Sequence, residues 1–274
     1  MKTFPLDQIW NNTADTKLIH KGYQIMRKRD VYNDLKYRSY ALRHLFLEDE
    51  PSDELDIAWI PIRLEEDNQT PCSKWEKPKR LANDAEVKRY LLEIHPDVSY
   101  GFSKRALPKK IRGRYCVRVS LGEAICPYLS VEFKRQGDPH DYTRTTNNRI
   151  AVAASMALYN RWKLKCNALQ KAGREWSDND KYQLRHYGIT LLAETWKVWS
   201  IRPKAYKSWE GCIMEPEQDG DFGCEEGVAL FIDTLNDIHF WGLKLHDESC
   251  KEDIEEDLRK IPLAKQMEGM KIDS

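Results

Sequence analysis

The sequence has no long apolar run. No stretch approaches the roughly 18–20 consecutive apolar residues that a membrane helix needs, so we expect no membrane contact. The N-terminal residues MKTFPLDQIWNNTADTK contain no apolar signal core, which predicts an intracellular protein, nuclear or cytoplasmic, that is not secreted. The chain also has no net charge, because 44 basic residues balance 44 acidic ones. Total charge therefore gives no indication of a nucleic-acid partner.

Closely spaced cysteine pairs are absent as well. The seven cysteines are an odd number, are scattered along the chain and include no CxxC pair. This pattern favours reduced thiols over a disulfide framework or a zinc site. The chain does have 41% hydrophobic and 11% aromatic residues, enough for a globular core. Its 274 residues predict one large domain, or one domain with an appendage.

Charge is unevenly distributed along the chain. Residues 104–118 contain seven basic side chains and no acidic one, whereas residues 210–226 and 247–257 are strongly acidic. Such segregation would present a positive surface to phosphates while the total stays neutral. The alternative, solvated loops whose charges offset each other in space, stays open.

The spacing of apolar residues predicts an order of elements. We expect two short helices in residues 17–46, a strand in 55–64, a linker in 65–80, a helix in 83–94, strands in 98–102, 115–121 and 128–134, a helix in 148–164, strands in 187–193 and 196–201, and a helix in 226–243. This order predicts a mixed α/β fold, with a central mixed sheet flanked by helices. Residues 1–80 would form a mostly helical N-terminal extension with its linker, and residues 247–274 an acidic C-terminal tail made of a short helix and a frayed end.

The strand predicted for residues 128–134 carries two charges on one face. Side chains alternate along a strand, so Glu132 and Lys134 share the face opposite the apolar residues. Asp97 begins an earlier strand, and Glu86 lies on the helix before it. Acids grouped beside a lysine supply ligands for a hard cation and a positive charge for a reacting phosphate. Spacing alone favours the alternative, an ordinary Glu–Lys pair on a surface strand.

The context of these residues resembles the PD-(D/E)XK nuclease superfamily. Pro96-Asp97 follows a predicted helix, and a hydrophobic strand ending in Glu132-Phe133-Lys134 precedes a long helix. More narrowly, the segments PYLSVEFKR, IAVAASMALYNRW, HYGITLLAETWKVWSI and FIDTLNDIHFWGL resemble fungal nuclease-like members of that superfamily. The resemblance covers residues 82–245 and implies a restriction-endonuclease-like core in residues 81–246.

The resemblance also implies roles for single residues. Asp97 and Glu132, with the carbonyl of Phe133, would bind Mg²⁺ or Mn²⁺. Lys134 would position or deprotonate water and stabilise the transition state. Glu86 would be the additional catalytic and metal-binding acid of the preceding helix. Its rival there is Glu93, and the polar residue expected on the following helix would be one of three: Arg144, Asn147 or Asn148.

The implied activity is metal-dependent hydrolysis of phosphodiester bonds, with DNA favoured over RNA. The residues expected to contact nucleic acid are Lys104, Arg105, Lys109, Lys110, Arg112, Arg114, Arg135 and Arg144. The alternative is a catalytically inactive nuclease fold that binds nucleic acid or a protein, because a fold does not determine a function. A homodimer, and a basic protein partner for the acidic segments 210–226 and 247–257, also stay open.

Histidines and tryptophans fit structural roles better. We expect His186 and His239 to be core or capping residues rather than metal ligands. Trp196, Trp199 and Trp209 fit core packing better than stacking on bases.

Overall fold

A computed structural model of the chain describes residues 15–28, 34–47, 61–65, 96–103, 120–121, 124–134 and 139–259. In chain order its elements are α1 (Thr16–Lys28), α2 (Asp34–His44), β1 (Pro61–Glu65), β2 (Val98–Ser103), β3 (Ser120–Leu121), β4 (Ala124–Lys134), α3 (Pro139–Ala172), α4 (Asp178–Gln183), β5 (His186–Leu192), β6 (Thr195–Pro203), β7 (Cys212–Asp221), α5 (Glu225–Trp241), a π-helical turn (Gly242–His246) and α6 (Asp247–Arg259). The predicted helix in residues 83–94 and most of the strand in 115–121 lie outside the described residues.

The strands form one mixed sheet. Their order is β1-β2-β4-β5-β6-β7, and β3 pairs with the beginning of β4. Strands β4 and β5 are parallel, and the other paired strands are antiparallel. Strand β4 therefore lies inside the sheet, and its residues from Ala124 to Phe133 are all buried. The predicted mixed α/β fold with a helix-flanked sheet is confirmed.

Helices cover both faces of the sheet. On one face, Leu129 and Val131 of β4 join the main hydrophobic core together with Phe231 of α5. On the other face, α3 packs against β4, β5 and β6. The helix approaches the sheet most closely at Gly188, where a Cβ atom would lie 2.5 Å from Cγ2 of Ile150. This glycine thus allows α3 to lie directly on the face of β4 that carries Glu132.

Elements outside the family resemblance share this core. Ile19 and Tyr23 of α1 and Tyr37 of α2 belong to the main hydrophobic cluster, β1 pairs with β2, and α6 packs against α3. The predicted boundaries at residues 80 and 246 stay predictions, because shared packing does not tell where an independently folding unit ends.

Among the differences from the sequence-based expectations, two concern α3 and the acidic segment 210–226. Helix α3 begins at Pro139 and ends at Ala172, so it extends beyond residues 148–164 at both ends; proline is favoured in the first turn of a helix because its missing N–H needs no partner there. The acidic segment 210–226 contains the edge strand β7 rather than only a loop. Its Glu215, Glu217 and Asp219 are exposed, and charged edge strands resist pairing with other chains.

The described cysteines are unpaired. Cys126, Cys166, Cys212, Cys224 and Cys250 are all free thiols, in agreement with the scattered spacing in the sequence.

Candidate active site

Strand β4 carries the Glu-x-Lys pair into the interior of the sheet. The ring of Phe133 enters the main core and meets Phe46 edge to face, with 5.7 Å between ring centroids. Because side chains alternate, Glu132 and Lys134 lie on the opposite face, beneath α3. Glu132 is only 1% exposed, and Lys134 is half-buried. An ordinary ion pair on a surface strand is therefore the wrong description of this position.

The pairing of β2 with β4 brings Asp97 beside Glu132. Val98 opposes Val131 in antiparallel register, so the backbone of Asp97, one residue before β2, lies beside that of Glu132. One carboxylate oxygen of Asp97 accepts a hydrogen bond of 2.6 Å from the backbone N–H of Phe133. This bond holds the Asp97 carboxylate against β4. Two acids that are distant in the sequence are thus neighbours in the sheet.

Among the described residues, three cations accompany these acids. Nε of Arg149 lies 3.4 Å from Oε2 of Glu132, and Nη1 of Arg38 lies 3.9 Å from Oδ1 of Asp97. Lys134, the third cation, is close enough to act electrostatically on Asp97, as is Arg149. The fully ionised group therefore carries one more positive than negative charge.

The acid–base state of Asp97 reflects opposing effects. Burial raises the pKa of Asp97 above its ordinary value, while the Phe133 hydrogen bond and the charges of Lys134, Arg38 and Arg149 oppose the rise. Burial removes water that would stabilise the ionised form, and neighbouring cations replace part of that stabilisation. A desolvated carboxylate of this kind also interacts strongly with any cation that reaches it.

The helix that follows β4 contributes a residue that sequence reasoning missed. The family resemblance implied three candidates on this helix: Arg144, Asn147 and Asn148. In the structure Arg149 of this helix reaches Glu132, and the Arg144 side chain lies outside the described residues. A signal for it exists, because Arg149 precedes the buried Ala153 by one helical turn and residues at that spacing share a helix face. The buried Ala face of α3 thus predicts that Arg149 meets the sheet.

Arg38 was also missed, and no sequence signal identifies it. It lies on α2, outside the region of family resemblance, and its Nη2 donates to the carbonyl oxygen of Asp97 over 3.4 Å. Spacing within α2 cannot reveal a contact with a residue on another element. The N-terminal helices therefore contribute to the candidate site.

Several predicted site residues lie outside the described part of the chain. They are Glu86, Glu93, Lys104, Arg105, Lys109, Lys110, Arg112, Arg114 and Arg135. Arg144 belongs to α3, but its side chain is likewise outside the described set. Their roles, and that of the Phe133 carbonyl, stay predictions.

The acids fit a hard divalent ion that keeps much of its water. Mg²⁺ is commonly bound through one or two carboxylates together with several water molecules, which the neighbouring Asp97 and Glu132 match. Across the described residues, no group of three or more His, Cys, Asp or Glu side chains is arranged to hold a metal. Within that part of the chain, an all-protein metal cage is thus absent, and the carboxylate pair is the donor set to consider.

The same face of the sheet continues from the acids into a hydrogen-bonded chain. Oγ of Ser99 lies 3.4 Å from Oγ of Ser130, which lies 3.0 Å from Nε2 of His186. Nδ1 of His186 donates to the carbonyl oxygen of Pro127 over 3.1 Å. Burial lowers the pKa of His186 to about 3, so the ring is neutral near pH 7. His186 is a core residue, as expected.

Comparison with known proteins returned no relative. No protein-family model matches the chain, and neither the curated proteins nor the solved structures include a match. Within the described residues, no helix is both long and apolar enough to cross a bilayer.

Proposed function

We propose that this chain is a Mg²⁺- or Mn²⁺-dependent nuclease that hydrolyses phosphodiester bonds, with DNA favoured over RNA. The observation that carries the proposal is the position of Asp97 beside the segment of β4 that places Glu132 and Lys134 on one face, beneath α3. A restriction-endonuclease-like core is part of the proposal. It is supported by the pairing of β2 with β4, by the parallel β5 and by the long helix α3 that follows β4.

Each side chain would have a distinct task. A bound divalent ion would supply an activated water and compensate charge on the phosphate. Asp97, fixed by the Phe133 N–H, and Glu132, buried beneath α3, would bind that ion with little freedom of movement. Lys134 would donate a hydrogen bond to the attacking water or to the phosphate oxygen on which negative charge develops.

A plasmid-nicking assay tests the proposal. The wild-type chain should nick supercoiled DNA with Mg²⁺ or Mn²⁺ and not with EDTA. Lys134→Ala should lower the rate at least about 100-fold, the usual effect of removing one group that stabilises the transition state. Lys204→Ala is the matched control, because Lys204 is exposed on the loop after β6, and it should cleave at the wild-type rate. Wild-type cleavage by Lys134→Ala would contradict the role of this lysine.

A second candidate function is a catalytically silent nuclease fold that binds nucleic acid or a protein. The ion pairs of Arg149 with Glu132 and of Arg38 with Asp97 favour it, because they neutralise both acids without a metal. This candidate predicts binding that EDTA leaves unchanged and no cleavage with either metal ion.

A further inference from the structure

The Arg149–Glu132 pair joins a buried anion to a partly exposed cation. The side chain of Glu132 is 1% exposed, whereas that of Arg149 is 38% exposed. The helix around Arg149 is firmly seated, since Thr146 and Ile150 on either side are fully buried. The backbone position of Arg149 is thus fixed, while its guanidinium borders solvent and has room to change direction.

The contact is an ion pair of moderate closeness. Its 3.4 Å separation exceeds the roughly 2.7–2.9 Å of a strong charge-assisted hydrogen bond. A buried carboxylate nevertheless requires a counter-charge, because an isolated buried charge is very costly. Glu132 therefore needs a cation beside it, and this cation is held loosely enough to be exchanged.

Arg38 is held differently. Its side chain is 18% exposed, and it contacts both the carboxylate and the backbone carbonyl of Asp97. The contact of Arg38 with the backbone carbonyl would remain if the Asp97 carboxylate took another partner. A bound cation would therefore displace Arg38 less readily than Arg149. Of the two arginines, Arg149 has the more exposed side chain.

We propose that Arg149 is the resident counter-ion of the Asp97–Glu132 pair, and that a divalent cation must displace its guanidinium in order to bind. This inference rests on the proposed metal site and concerns its regulation. The displaced guanidinium, still anchored on α3, faces solvent at the mouth of the site and meets the phosphate of an incoming nucleic acid. Arg149 thus opposes metal binding in the free protein and supports it once nucleic acid is bound.

Calorimetric titration of the full chain with Mn²⁺ at pH 8, without nucleic acid, tests this inference. Arg149→Gln removes the competing charge and should bind Mn²⁺ about tenfold or more tightly than wild type, since unit charges a few Å apart interact strongly even at an effective dielectric constant of ~20. Arg149→Lys keeps a cation and should bind like wild type. Arg174→Gln is the matched control, because Arg174 is exposed just after α3, and its affinity should not change.

A double variant assigns any gain in affinity to this site. Adding Glu132→Gln to Arg149→Gln should abolish the tight Mn²⁺ binding. Titration of the single variant with an uncleavable phosphorothioate oligonucleotide in saturating Mn²⁺ should show weaker binding than wild type, since the displaced guanidinium would contact phosphate.

The outcomes separate this inference from the nuclease proposal. If wild type binds Mn²⁺ and Arg149→Gln binds it equally or more weakly, Arg149 is not a competitor, and the metal site itself still stands. If no variant binds Mn²⁺ and wild type cleaves nothing, both proposals fail together. Urea unfolding of Arg149→Gln checks its fold, and the affinity of Arg149→Lys, which should equal that of wild type, tests the inference independently.

Discussion

Helix α3 contributes to two groups of charged side chains that differ in how tightly they are paired. Farther along the helix from the candidate site lies a buried ion network formed by Arg161, Lys165, Asp180 and Asp253. Its atoms lie at hydrogen-bonding distances: 2.6 Å for Arg161–Asp253, 2.9 Å for Lys165–Asp253 and 3.0 Å for Lys165–Asp180. Every member is at most 5% exposed.

The candidate site is paired more loosely. Its ion pairs measure 3.4 Å for Arg149–Glu132 and 3.9 Å for Arg38–Asp97, and the described part of the chain places three cations around its two acids. The network, by contrast, matches two cations with two acids, and Arg161 also donates to Ser249. Burial of charge is therefore not by itself a mark of function. A loosely paired and partly exposed cation beside buried acids is the feature that separates the site from the network.

We expect the largest effect on stability in the buried ion network. Asp253→Asn should lower the free energy of unfolding by about 3–5 kcal/mol, because it leaves Arg161 and Lys165 buried without their shared carboxylate. Urea unfolding measures this change. Glu252→Gln is the control, since Glu252 is the exposed neighbour on α6, and its effect should stay within about 0.5 kcal/mol. A loss below about 1 kcal/mol for Asp253→Asn would mean that the network does not stabilise the fold in this way.

A smaller effect is expected at the site. Glu132→Gln should change the free energy of unfolding by about 1 kcal/mol or less, since the half-exposed Arg149 can turn to water once its partner is neutral. The same variant should lose metal-dependent cleavage in the nicking assay. If its destabilisation instead equals that of Asp253→Asn in urea unfolding, the contrast between the two groups does not hold.

The smallest expected effects are two pH dependences of the free energy of unfolding, which have opposite signs. Burial would raise the pKa of Asp180, but hydrogen bonds from Ser177 and Lys165 outweigh it and lower this pKa to about 2. A depressed carboxyl pKa stabilises the fold above the unfolded pKa of about 4, and this stabilisation is lost as pH falls toward 2. The raised pKa of Asp97, due first to burial, has the opposite sign, because its folded form takes up a proton more readily than the unfolded chain.

Urea unfolding between about pH 5 and pH 3, which brackets the unfolded carboxyl pKa, checks these signs. The stability advantage of wild type over Asp180→Asn should shrink as pH falls. Wild type should gain stability relative to Asp97→Asn over the same interval. Parallel slopes for the two variants would contradict the assignment of Asp97 to a desolvated position.

Local patterns predicted much of the fold. The alternation in β4 correctly separated Phe133 from Glu132 and Lys134, because side-chain direction in a strand depends only on the period of two residues. The extent of α3 and the strand β7 were harder to predict. Pro139 can either begin or interrupt a helix, so the first residue of α3 was ambiguous. Charged residues are common on exposed edge strands, and in β7 they replace the alternation of apolar and polar residues that would predict a strand.

By itself, the sequence predicted the order of the described elements apart from α4 and β7, the two faces of β4, and the placement of an acid and a lysine together on one of them. These are local properties, fixed by side-chain direction and backbone preference. Only the tertiary structure decided that Asp97 lies beside Glu132, that Arg38 and Arg149 are their partners, and that Asp253 serves two cations at once. Those contacts join separate elements, and charges interact through space. The spacing of residues along the chain therefore does not predict them.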